Sequence, residues 1–271
     1  MIEVGMKIEV SFAKSLHENA ESYYALAKKY RKKLAGLEKG EKELERKIGK
    51  ASEEKTPAKK VVVKRERGWF EKFHWFFTSE GFLVISGRDA KGNELVVKKY
   101  MEKHDLYFHA DIHGAPHTVV KTAGKSPGDA SKREAAVFAA IFSRAWASHL
   151  PAVDVYSVRP EQVSKRVPTG ESIGTGAFMI YGEREWYRKT PLDFSVGLKK
   201  EGGSYVVFSG PSSAVSANAV FSLKVVFGQG SKGEVSKKIA SRFRAFAGKE
   251  AQVSVDDIVS VLPSGGLEVQ G

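Results

Sequence analysis

Between Leu16 and Ala51 apolar residues recur at 16, 20, 23, 27, 30, 34, 37, 44, 48 and 51, separated almost throughout by alternating steps of four and three. Only Glu41 interrupts the series, so the segment predicts a helix of about five coiled-coil heptads, roughly 50 Å long. Such a seam is stable only against another helix. Residues 16–51 therefore predict a helical partner, supplied by a second copy as a homodimer or by another protein. Gly36, Gly40 and Gly49 each cost about 1 kcal/mol relative to alanine, and with Glu41 they mark the middle of the rod as the place to bend or fold back.

Beyond the rod, SEEKTPAKK is polar with a single proline, the composition of an exposed linker. After Gly68 the period changes. Trp69 to Phe77 is rich in aromatic residues, and the apolar runs Phe82–Ile85 and Leu95–Val97 flank the turn-forming GRDAKGNE, predicting two strands joined by a hairpin loop. Asp105–Phe108, Thr118–Lys121, Val153–Val158 and Phe178–Tyr181 predict further strands. The stretch DASKREAAVFAAIFSRAWASHL predicts one long helix with an apolar face of Ala135, Phe138, Ala139, Phe142, Ala145 and Trp146. Its start is marked by a Ser131/Glu134 capping box, or by Asp129 slightly earlier. Past LKKEGGS come strand-like Tyr205–Phe208 and Phe221–Phe227. A helix follows, with a Ser231/Glu234 capping box, an apolar stripe of Val235, Ile239, Phe243 and Phe246, and Lys238 and Arg242 on its exposed side; 256–262 predicts a short terminal element.

The fold class is α+β: a mixed or antiparallel sheet with a long helix packed on it, preceded by a coiled-coil helical stalk. The expected boundaries are a stalk over 11–55, a linker over 56–67, a central module over 68–198 and a small C-terminal α/β unit over 199–271. Hydrophobic residues make up 42% and charged residues 28%, a globular balance that disfavours wholesale disorder. Cysteine is absent, which removes disulfides, thiolate metal sites and a cysteine nucleophile. No apolar run approaches the roughly 18 residues of a membrane span and the N-terminus lacks signal-peptide order, so the expectation is a soluble, cytoplasmic protein without membrane contact.

Charge narrows the partners. Lys and Arg number 44 against 32 Asp and Glu, a net +12 at pH 7, with pI near 9.6. Polyanions come first on that basis. No phosphate-binding GxxxxGK[ST] is present. The densest chemically able cluster is His109, Asp111, His113 and His117 in FHADIHGAPH. On a strand the first three share one face, where they could bind a divalent ion, share a proton, hold a structural Asp–His network, or face RNA, with Gly114 allowing a turn or a close backbone approach. Arg88 and Asp89 fall in the first loop, as an ion pair holding the turn or with Arg88 forked onto phosphate. Lys121, Lys125, Lys132 and Arg133 surround the start of the long helix, whose free amides and dipole attract anions. Lys165 and Arg166 add a basic loop in QVSKRVPTGE.

Four strings in consistent order carry a resemblance: WFEKFHWFFTSEGFLVISGRDAKGNELVVKKY, LYFHADIHGAPHTVVK, the helix ending SRAW, and VYSVRPEQVSKRVPTGESIGTGAFMIYG. Over about Gly68 to Gly197 they resemble the RNA-binding (NFACT-R) domain of the NFACT family, the RqcH and NEMF proteins, and SLHENAESYYALAKKYRKKL resembles the start of that family's coiled-coil region. The resemblance implies a ribosome-associated quality control factor that engages large ribosomal subunits carrying obstructed peptidyl-tRNA, with tRNA and ribosomal RNA as its RNA partners. The family's N-terminal glycosylase-like domain has no counterpart in these residues, so its C-terminal tailing activity is not implied for this chain. The rod is also short beside the family's long coiled-coil arms, through which eukaryotic members recruit the ubiquitin ligase listerin. Arg88, Asp89, His109, Asp111, His113 and Gly114 are the signature positions. The expectation is a non-enzymatic RNA-binding module, with no metal or cofactor implied. The competing readings are a metal-dependent RNA or nucleotide hydrolase built on His109, Asp111 and His113, and a coiled-coil interaction scaffold.

Overall fold

A computed structural model describes residues 9–53, 67–166, 173–248 and 253–270. Two compact units are present, Met1–Lys64 and Arg65–Gly271. The expected linker lies outside the described residues up to position 66, as does the apex of the QVSKRVPTGE loop at 167–172.

In the first unit, α1 (Leu16–Glu53) is one helix of 38 residues, about 57 Å long. Its start is closed by a reciprocal pair: the Ser15 amide donates to Glu18 Oε2 at 2.7 Å and the Glu18 amide to Ser15 Oγ at 3.2 Å. The chain does not fold back at its middle: Gly36 and Gly40, which weaken the helix by only about 1 kcal/mol each, lie within its continuous run. Along the seam, Leu16, Tyr23, Tyr30, Leu34, Leu37 and Leu44 are exposed.

The second unit runs in chain order through a 3₁₀ turn (Trp69–Lys72), β1 (His74–Phe77), β2 (Leu83–Ser86), α2 (Ala90–Leu95), a π-helical turn (Val96–Tyr100), β3 (Leu106–Ala110) and β4 (Thr118–Lys121). Then come α3 (Asp129–Ile141), α4 (Arg144–Ala147), β5 (Ala152–Val158), the short ribbon β6 (Val163–Ser164) and β7 (Met179–Ile180), and β8 (Glu185–Pro191). The chain ends with β9 (Phe194–Glu201), β10 (Ser204–Gly210), α5 (Ser212–Asn218), β11 (Phe221–Gly230), α6 (Lys232–Ala247), α7 (Val255–Val261) and β12 (Leu267–Val269).

Two antiparallel sheets organise these elements, one of six strands in the order β1-β2-β4-β3-β5-β8 and one of four in the order β10-β9-β11-β12. Helix α3 packs on one face of the larger sheet, where Ala135, Phe138 and Ala139 meet Phe76, Phe108 and Val155. Helices α6 and α7 cover the smaller sheet through Val235, Ile239, Phe243 and Ile258. The α+β expectation thus matches the architecture.

Several local expectations do not. The strand expected at Leu95–Val97 is helical, because Asp89 caps α2 by accepting the Gly92 amide at 2.6 Å and the pair Val96 and Val97 is buried on a helical turn. The long helix breaks after Ile141. Ser143 turns its hydroxyl back to the Ala140 carbonyl and then accepts the Ala145 amide, so α4 starts afresh. Ser131 is not a cap: α3 begins at Asp129 with Gly128 at its N-cap, and Glu134 reaches instead to the Ser79 amide and the Ser213 hydroxyl. The Ser231/Glu234 box forms as expected.

The expected step between residues 198 and 199 falls inside β9. Val206, Phe208 and Val215 from beyond it share one core with Phe73, Trp75 and Tyr107. Gly197 permits this joint, since a Cβ there would lie 2.8 Å from Val215 and 2.9 Å from the Phe208 ring. Phe208→Ala should cost about 3–5 kcal/mol. Both sheets should still melt together, which far-ultraviolet and near-ultraviolet circular dichroism of the same sample would report as coincident transitions; two separated transitions would show that the sheets fold independently.

Candidate functional site

A groove of about 700 Å³ in the second unit is bordered by the β2–α2 loop, the β3–β4 turn, the segment 175–178, the start of α6 and the residues after α7. Six residues singled out in the sequence line it: Arg88, Asp89, His109, His113, Gly114 and His117. His74, Asn93 and Lys232 join them.

The floor is built on His117. Its Nε2 lies 2.7 Å from the Gly176 carbonyl oxygen, which can only accept, so Nε2 carries the proton and Nδ1 accepts from the Tyr107 hydroxyl. The His117 amide donates to Asn93 Oδ1 at 3.0 Å, and the Gly176 amide donates to Glu94 Oε2 at 2.8 Å. Burial, then the neighbouring His109, brings His117 down to about 4. Burial also brings His109 down to about 4 and holds His74 well below the ordinary histidine range, with Arg88 and Lys232 adding to the latter. Nδ1 of His74 and Nδ1 of His109 are buried without a hydrogen-bond partner. His74 is stacked on Phe142 with ring centres 3.9 Å apart.

Arg88 and Lys232 supply the charge. Arg88 donates to the Phe73 carbonyl at 3.0 Å, and Lys232 donates to the Leu262 carbonyl at 2.9 Å. Neither has a carboxylate partner among the described residues. Burial draws both below their ordinary values; Arg67 adds to this for Arg88, and Arg88 adds to it for Lys232. Asp89 is not paired to Arg88, being occupied as the cap of α2.

The remaining sequence-predicted residues lie apart from the groove. Strand β3 ends at Ala110, so the period that would put Asp111 and His113 beside His109 stops; the Ile112 amide turns back to the Ala110 carbonyl. Asp111 is exposed, with no hydrogen bond to His113. Among the described residues no three His, Asp or Glu side chains are placed to hold a metal ion. Lys121 is spent on Asp105, Glu102 at 3.3 Å and the Tyr100 carbonyl at 2.6 Å. The start of α3 already holds an anion: Glu80 Oε2 accepts the Gly128 amide at 3.1 Å and the Ser131 amide at 3.2 Å. Of the basic residues around it, Lys132 reaches Glu185 at 3.7 Å, Arg133 lines a smaller recess with Asp193, and Lys125 is exposed. Lys165 pairs with Glu94 at 2.8 Å, which with Lys98 holds that carboxyl at about 2, and Arg166 is exposed at the edge of its loop.

His74 and Lys232 are the groove residues that sequence reasoning missed. The one signal for His74 was a polar residue inside an aromatic strand. Lys232 follows the Ser231 cap and is brought to Arg88, far away in sequence, only by the fold.

The neutral histidines set a pH dependence. An unfolded histidine takes its proton near 6.5, whereas His109 and His117 stay neutral down to about 4. Between those values the unfolded chain binds more protons, so stability should fall as pH is lowered through the window, by up to about 1.4 kcal/mol per pH unit for each histidine. Chemical denaturation from pH 7.5 to 4 measures the slope. His117→Gln, which cannot take the proton, should be less stable at pH 7.5 and lose less on acidification.

Comparison with known proteins places this geometry. Residues 72–182 match the family model described as NFACT protein RNA binding domain. The archaeal Rqc2 homolog aRqcH of Methanocaldococcus jannaschii is 40% identical over 210 residues, covering 78% of this chain and 30% of that protein. The ribosome quality control complex subunit NEMF homolog of Drosophila melanogaster is 37% identical over 70% of this chain and 20% of its own length. The human ribosome quality control complex subunit NEMF is 38% identical over 63% of this chain and 16% of its own length. The chain thus spans less than a third of the length of these curated relatives. With the matched region enclosing Arg88, His109, His113, His117 and the rest of the groove's sheet-borne wall, the chain belongs to the NFACT family.

Proposed function

We propose that the second unit is an RNA-binding module and that the protein acts in the cytosol in ribosome-associated quality control, engaging tRNA and large-subunit ribosomal RNA on stalled ribosomes. One observation carries the RNA reading: Arg88 and Lys232 face a common groove, Arg88 lowers the affinity of Lys232 for a proton, and neither has a carboxylate to offset it among the described residues. Two neighbouring cations held in that way are stabilised by an anion bridging them, and a backbone phosphate supplies one. Arg88 presents a fork and Lys232 a point charge, so the pair suits one phosphate oxygen cluster approached from two sides. His113 and the exposed Gly114 turn, at φ +79°, leave the opposite rim open to a base or a ribose.

The names of the relatives and the family model support the cellular role. The module is proposed to bind rather than to catalyse. The hydrolase alternative needs His109, Asp111 and His113 to converge, and the turn after β3 separates them. The scaffold alternative has its own support in the exposed seam of α1, and both roles fit one chain: the seam takes a helix from a second copy or another protein, while the groove takes RNA. No helix among the described residues is long and apolar enough to cross a membrane.

The test is a salt titration of the full chain with a tRNA. Affinity should fall steeply, with a slope of log K against log salt near −3 if about four phosphates are contacted. Arg88→Gln and Lys232→Gln should each weaken binding about tenfold and flatten the slope by somewhat less than one. Lys238→Gln with Arg242→Gln, on the far face of α6, should change affinity less than threefold. A slope near zero, or equal losses for both pairs, would remove the localised phosphate site.

A further inference from the structure

On the groove side of the larger sheet a row of rings crosses four strands. His109 stands opposite Tyr156, and Tyr156 opposite Trp186, in the β3–β5 and β5–β8 registers. Ring centres are 5.1 Å apart from His117 to His109, 5.8 Å from His109 to Tyr156 and 5.4 Å from Tyr156 to Trp186. Tyr187, next along β8, packs the other way against Phe108. Alternation therefore puts Arg184, Trp186 and Arg188 on one face. β8 is the edge of the sheet, with no further strand beyond it among the described residues.

Two guanidinium groups are backed by this row. Arg188 lies 3.9 Å from the Trp186 ring centre, and Arg184 lies 4.5 Å from Tyr156 and 5.9 Å from Trp186. Asp154 holds Arg188 at 2.7 Å, so ordinary surface stabilisation accounts for that side chain. Arg184 is different. It is exposed, it has no carboxylate partner among the described residues, and its charge is felt at His109 on the wall of the groove. A stacked guanidinium offers a flat cationic plane to a base and in-plane N–H donors to the phosphate beside it.

We infer, building on the RNA reading of the groove, that strands β5 and β8 carry a track for single-stranded RNA, with a base stacking on the ring-backed plane of Arg184 and the strand running on toward His109 and the groove. The inference deepens the proposed function by naming the ligand class. In an A-form duplex the base faces are hidden in the helical stack, so a duplex can reach the charge of Arg184 but not lay a base on its plane. The discriminating change is therefore Arg184→Lys, which keeps the charge and removes the plane.

The experiment measures binding of the full chain to an unstructured single-stranded RNA of about twelve nucleotides and to a duplex of the same length, at one salt concentration. The native chain should prefer the single strand. Arg184→Lys should lose about fivefold or more of single-strand affinity, consistent with about 1 kcal/mol or more for a stacked base, and change duplex affinity less than twofold. Arg184→Gln should lose at least as much on the single strand. Trp186→Leu, which removes the backing ring but keeps an apolar side chain, should follow Arg184→Lys. Equal affinity for the two RNAs, or an Arg184→Lys protein that binds the single strand like the native chain while Arg88→Gln still weakens it, would overturn the track and leave the groove standing. Binding of neither RNA would instead overturn the RNA reading itself.

Discussion

The groove keeps its shape through one residue pair, His117 and Gly176. Gly176 lies so close to the start of α2 that a Cβ would stand 2.5 Å from the Ala90 carbonyl oxygen, and its φ of +78° is one that side-chain-bearing residues rarely adopt. Its carbonyl accepts from His117 and its amide donates to Glu94, while the His117 amide donates to Asn93. Two consecutive residues of α2, one turn residue from the 173–178 segment and one ring at the head of β4 are thereby locked to each other. The lock works only while His117 is neutral, because a second ring proton would leave no acceptor for the Tyr107 hydroxyl.

Neutral histidines also decide where charge is available. With 44 basic side chains the protein has cations almost everywhere, yet most of those nearest the sheet are already paired. Lys121 is closed by two carboxylates and a carbonyl, Lys165 by Glu94 and the Gly174 carbonyl, and Arg188 by Asp154. Among the described residues, Arg88 and Lys232 in the groove and Arg184 beside it are cations near the sheet without a carboxylate partner. Net charge draws a polyanion to the surface over a Debye length or so, and these uncompensated groups hold it in one place.

The elements with strong periodicity were legible in the sequence: α1, α3, α6 and strands β2 to β5 all stand near where alternation or the helical period put them. The errors share a physical cause. A short apolar run such as Leu95–Val97 carries no period, and the cap at Asp89 decides it. β8 was invisible because charged residues flank its two aromatic residues in EWYRKTP, leaving neither an apolar run nor clean alternation. In the candidate site, Arg88, His109, His113 and Gly114 were found because they lie in short recognisable strings. His74 was not, because it sits inside an aromatic strand, and Lys232 was not, since only the fold brings the start of α6 to Arg88. The helix-start reading failed for a related reason. A helix N-terminus does attract an anion, but the chain fills it from within, with Glu80.

That substitution of Glu80 for an external anion has a consequence for how RNA is held. A carboxylate fixed on two amides and the Ser131 hydroxyl is part of the fold, and it fills the start of α3 in place of an external anion. The ring row lies on the other face of the larger sheet from Phe108 and α3. Under the proposed RNA reading, a strand would meet two cations in the groove and a stacked guanidinium at the sheet edge rather than the start of α3, because Glu80 already fills that helix end from within the fold.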